Sequence, residues 1–244
     1  MKRTATIFFA LAFAILGATC HSSGRVFYTG VYISLGDSIG AGNGSSDPAT
    51  TSFVALVDHD EGELPLINLS KAGATTQDVI DNQVPWAVGA MNGRDVAFIT
   101  ISAGGNDLAA LIPNAACVQD PLPASCPLDE TLQKVAANLG TILSRLRAVN
   151  KTAPIVLLGY PNLFSGTGHP FEAPAGRVLP RLDDVIRSVA SKYQHTAVSD
   201  PSAAFDGRGG ELTHVLDTPF DPHPNDAGYR VIADAFIDVL KTGP

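Results

Sequence analysis

The stretch GDSIGAGNG, from Gly36 to Gly44, follows an apolar, β-branched run and places a hydroxyl at a tight turn. Ser38 would leave a buried strand there with its hydroxyl exposed and its backbone N–H aimed at the same space. That is what an acyl-transfer nucleophile requires. Gly36, Ser38 and Gly40 fit the G-x-S-x-G elbow, whereas Gly40, Gly42 and Gly44 could be taken for a dinucleotide-binding loop. The loop reading lacks its third glycine, since Ser45 stands there, and no Walker lysine follows.

Serine chemistry also needs a base, a group to orient it and donors for an oxyanion. His223 lies between two prolines in DPHPN, just before a helical pattern, and histidine alone has an unperturbed pKa near neutrality. Asp221 is the nearest carboxylate that could hold its ring; Asp217 or a backbone carbonyl could serve instead. Gly73 in KAGATT could bring a bare backbone N–H close to a substrate oxygen, or be an ordinary turn glycine. Asn106 in GGND offers a side-chain amide as a donor, or an N-cap; Asp107 could be that cap and leave Asn106 free.

These stretches follow the elements that must position them. Strands are expected at Val31–Leu35, PLINLS, DVAFITIS, APIVLL and HTAVSD. Helices are expected in TTSFVALV, in TTQDVIDNQVPWAV with an interruption at Pro85, from Leu128 to Val149, through RVLPRLDDVIRSVASKY, and from about Asn225 to Leu240. Alternating strands and helices imply a mostly parallel sheet covered on both faces. Ligands sit where the strand carboxyl ends of such sheets open into loops, and GDS, SKAGATT and GGND each follow a strand. No repeat and no second domain is visible.

In order, GDS, KAGATT, GGND and DPHPN resemble the blocks of the SGNH (GDSL-type) hydrolase family, spanning Gly36 to Asn225. GYPNLF, after the fourth strand, is similar to a segment of bacterial lipase and esterase members. The resemblance implies Ser38 as nucleophile, His223 as general base, and oxyanion donors from the Ser38 and Gly73 backbones and the Asn106 side chain. It also implies a three-layer α/β/α, flavodoxin-like fold with a five-stranded sheet in the order 2-1-3-4-5, and neither metal nor organic cofactor. One departure stands out: the family's acid commonly lies three residues before the histidine, where this chain has Phe220. Asp221 is therefore the assigned acid.

Composition sets the class. Of 244 residues, 45% are hydrophobic and 16% charged, which suits one sizeable globular domain. A net charge of −8 and no basic patch argue against nucleic-acid partners. Residues 1–20 read as an export signal: Lys2 and Arg3 precede an apolar run from Ile7 to Ala18, too short to span a bilayer comfortably. LGATC followed by HSSG resembles a lipoprotein signal, with Cys20 lipidated and a membrane anchor as the consequence; ordinary cleavage near Thr19 is the alternative. Residues 21–30 would be a tether and 31–244 the hydrolase domain. In an exported protein, Cys117 and Cys126, nine apart in the Pro-rich segment 113–128, read as a local disulfide.

DHDEGE, from Asp58 to Glu63, matches no calcium loop and reads as a solvated turn. His59, His195 and His214 read as surface or packing residues, Trp86 as core, and His169 as a residue that could line the pocket. The expected protein is an exported, monomeric carboxylic-ester hydrolase of lipase or esterase type, acting on a small-molecule or lipid ester. Carbohydrate O-acetyl esterase, thioesterase and lysophospholipase activities are alternatives on the same fold.

Overall fold

A computed structural model describes residues 27–243. The export signal and Cys20 lie outside the described residues. Five strands, β1 (Val31–Gly36), β2 (Leu66–Asn68), β3 (Val96–Ser102), β4 (Ile155–Leu158) and β5 (Thr196–Ser199), form one parallel sheet in the order β2-β1-β3-β4-β5. β1, β3 and β4 are buried along nearly their whole length. Their continuous apolar runs follow from that, because helices cover both faces.

The helices in chain order are α1 (Ser38–Ala41), α2 (Phe53–Glu61), α3 (Thr76–Asp78), α4 (Val84–Met91), α5 (Gly105–Ala109), α6 (Leu128–Val149), α7 (Glu172–Ala190), α8 (Ser202–Phe205), α9 (Gly209–Leu212) and α10 (Asp226–Thr242). α2 packs on α10, with Phe53 and Phe236 stacked at 4.8 Å between ring centroids. α6 packs on both α4 and α7. The result is the expected three-layer α/β/α architecture.

The interruption expected at Pro85 takes the form of a π-helical turn over Val79–Gln83, after which Pro85 falls in the first turn of α4. One expectation needs correction. Trp86 is not core: it is 73% exposed, because α4 turns Val84, Ala87 and Met91 inward and leaves position 86 out of phase. Tyr28 packs edge-on against Phe98 and donates its hydroxyl to the Leu240 carbonyl at 2.7 Å, which docks it on the domain.

Candidate active site

The sheet delivers the polar stretches to one edge. β1 runs straight into α1, so Ser38 is the first residue of that helix and only partly buried. Asp37 is the N-cap: its Oδ1 accepts from the Ile39 N–H at 3.0 Å, and its own N–H donates to the Ser102 carbonyl at 2.9 Å. The cap thereby fixes Ser38 between the ends of β1 and β3. Asp37 Oδ2 accepts the Tyr160 hydroxyl at 2.5 Å. Burial pushes the Asp37 carboxyl up, against the hydrogen bonds from Tyr160 and Ile39 that favour its charge. Burial likewise holds the Tyr160 phenol well above its usual value.

β3 ends at Ser102, and two residues on Gly104 caps α5. Asn106 and Asp107 therefore both lie in the first turn, and neither is the cap. Asn106 Nδ2 donates to the Ala74 carbonyl at 3.0 Å, which fixes the amide and leaves its second N–H for an incoming oxygen. Asp107 has a task the sequence did not suggest. Its carboxylate accepts from the Thr76 N–H at 2.8 Å and hydroxyl at 2.7 Å, and Asn138 Nδ2 donates to that hydroxyl at 3.0 Å. The β2 loop is thus tied to α5 and α6.

Gly73 stands one residue before Ala74 on that loop. The Ala74 N–H donates to the Lys71 carbonyl at 3.1 Å, and Gly73 has φ +79°, the conformation a type II turn asks of its third residue. It therefore borders Asn106 without lining the cavity that holds Ser38.

His223 precedes α10, which Asn225 caps. Asp221 Oδ1 accepts from the His223 ring Nδ1 at 2.5 Å and from the His223 backbone N–H at 3.0 Å. Burial pushes the Asp221 carboxyl up, but these two bonds outweigh it, and its pKa lies below the ordinary carboxylate range. Pro222 does not prevent the contact. Asp217 belongs elsewhere: its Oδ2 meets Nδ1 of His214 at 2.6 Å, while His214 Nε2 faces the Gly44 carbonyl at 2.8 Å. With both ring nitrogens facing acceptors, the charged form is favoured and the His214 pKa is raised, chiefly by Asp217. His214 also joins the His223 loop, its N–H donating to the His223 carbonyl at 3.0 Å. Gly44 packs so closely there, at φ +87°, that a Cβ would fall 2.7 Å from that of His223.

Ser38, Asn106 and His223 line one cavity of about 280 Å³, together with Asp37 and Tyr160. Asp221 sits behind the histidine and leaves Nε2 free to take a proton. Among the described residues, no group of three or more His, Cys, Asp or Glu side chains could hold a metal ion. No described helix is long and apolar enough to cross a membrane.

The sequence model of the GDSL-like lipase/acylhydrolase family matches residues 34–231. The chain belongs to that family. Membership makes this GDSL-like protein a carboxylic ester hydrolase. Its fold is similar to a lipase, Lip_vut3, from a goat rumen metagenome: 21% identity, TM-score 0.65, over 84% of this chain and 95% of that one. It is also similar to phospholipase A1 from Streptomyces albidoflavus NA297, with 22% identity and TM-score 0.64 over 88% and 100% of the two chains. Axe2, an acetylxylan esterase from Geobacillus stearothermophilus, matches at 19% identity and TM-score 0.62 over 88% and 96%. Comparison with curated protein sequences returns no match.

Tyr160, Asp107, Thr76 and the His214–Asp217 pair are supports of this GDSL-like site that the sequence alone did not reveal. Only GYPNLF carried a signal, and it marked the segment without assigning Tyr160 a partner.

Proposed function

We propose that this ester hydrolase works through a covalent acyl-enzyme on Ser38, with His223 as general base, Asp221 as its orienting acid and no cofactor. The carrying observation is that Ser38, Asn106 and His223 open onto one cavity while Asp221 holds Nδ1 of the histidine. Ser38 Oγ attacks the ester carbonyl carbon as its proton passes to His223 Nε2. The oxyanion accepts hydrogen bonds from the Ser38 N–H and from Asn106 Nδ2; Gly73, which does not line the cavity, is left out of the donor set. Collapse expels the alcohol, which takes the proton from His223. Water then gives a proton to His223 and its oxygen to the acyl carbon; Ser38 recovers the proton and the carboxylic acid leaves.

The N-terminal sequence supports export, with Cys20 as a lipid attachment point; the enzyme is proposed to act as a monomer on lipid or small esters. Incorporation of labelled palmitate tests the anchor. Removal of acetyl groups from carbohydrate, as by the acetylxylan esterase Axe2, would use the same polar corner, and release of acetate from acetylated xylan tests that reading. The decisive experiment is labelling by a fluorophosphonate probe. Wild type is labelled and Ser38→Ala is not; an unlabelled wild type overturns the serine mechanism.

A further inference from the structure

Beyond its polar corner the cavity is apolar and has two facing walls. One is the segment between α5 and α6, which contributes Leu111, Ile112 and Val118 and is closed by the Cys117–Cys126 disulfide. The other is the first half of α7, which contributes Ala175, Val178 and Leu179. The two walls are fastened to each other. Arg177 of α7 pairs with Asp120 at 3.3 Å and donates to the Val118 and Gln119 carbonyls at 3.3 Å; next to it, Arg181 pairs with Asp129 in the first turn of α6.

We propose that this slot is the acyl-chain site, that it selects unbranched fatty acyl groups over acetyl, and that the disulfide-closed segment is its selectivity wall. The inference rests on the serine-hydrolase reading given above. Three observations carry it. The slot is continuous with the corner where Ser38 and Asn106 would hold the ester carbonyl. Its polar groups are confined to that corner, so a sugar would leave its hydroxyls unpartnered along the apolar walls. The whole cavity, polar corner included, is about 280 Å³, nearly twice the roughly 150 Å³ that encloses a benzene molecule, which leaves the slot room for a chain of several carbons. An acetyl methyl group would leave most of it unfilled.

The test is kcat/KM for two ester series. In the first, the p-nitrophenyl leaving group is constant and the acyl chain runs from acetate to decanoate. Burial of each methylene is worth about fourfold. With the mouth open to solvent, octanoate should exceed acetate by about a hundredfold. In the second, the acyl group is acetate and the alcohol is lengthened; kcat/KM should change little. Ala175→Phe, which fills the slot, should lower the octanoate-to-acetate ratio at least tenfold. Arg177→Ala, which releases one wall from the other without touching the cysteines, should lower the same ratio. A flat acyl series, or a rise that follows the alcohol, overturns the assignment. An enzyme labelled by fluorophosphonate and active on acetate, yet indifferent to chain length, defeats this inference alone. One that is neither labelled nor active defeats the mechanism beneath it.

Discussion

The hydroxyl of Tyr160 donates to Asp37 at 2.5 Å, joining the end of β4 to the residue before Ser38 across 123 positions of chain. Both side chains are buried, and the other Asp37 oxygen caps the helix that begins at Ser38. Tyr160→Phe removes the donor and strands a buried carboxylate oxygen. Stability should fall by about 1–3 kcal/mol, and kcat roughly ten- to a hundredfold as the Ser38 turn loosens. Thermal denaturation and steady-state kinetics check both; a wild-type kcat would show that the cap holds without Tyr160.

The two His–Asp pairs near the C-terminus should behave differently. Asp221→Ala deprives the His223 ring of its only acceptor at Nδ1 and should lower kcat by about 10²–10⁴. Asp217→Ala disturbs the His214 brace and should cost less than about tenfold, since it touches no proton in transit. Equal losses in the two variants would remove the distinction.

Asn106→Ala should reduce kcat by roughly 10²–10³ with KM little changed, because an oxyanion donor matters most in the transition state. A loss confined to KM would recast Asn106 as a substrate-binding group.

Asp183 gives a stability signature that depends on pH. It lies buried under Tyr160, accepting that residue's N–H at 2.8 Å, and burial raises its pKa from 3.8 to about 6. A raised carboxyl contributes stability that is complete below its unfolded value and is lost as pH climbs through about 6. Asp183→Asn keeps an oxygen for the Tyr160 N–H and does not titrate. Its stability relative to wild type should therefore increase by about 1–2 kcal/mol between pH 5 and pH 8. Chemical denaturation at both pH values measures this, and a pH-independent difference would contradict it.

The parts of the site legible in sequence are those written into local chain chemistry. Ser38, Asn106 and His223 each follow a strand or precede a helix with glycine or proline beside them, and turns need those residues. Asp221 was legible because it reaches His223 through only two residues of chain. The unseen parts are contacts between distant segments. Nothing near Tyr160 points to Asp37, and nothing near Asp107 points to Thr76 at the start of α3. Trp86 was misread because aromatic bulk suggested burial, whereas helical phase decided against it. The acyl slot was likewise hidden, since its two walls meet only after α7 packs against α6.

Asp226, in the first turn of α10, accepts from the Ser46 N–H at 2.7 Å, the Ser46 hydroxyl at 2.5 Å and the Thr51 hydroxyl at 2.8 Å, while Tyr229 donates to the Asn43 carbonyl at 2.5 Å. These bonds fasten the loop after Ser38 to the helix after His223, 180 residues later. The two ends of the described chain are thus clasped to each other by residues that do not line the cavity.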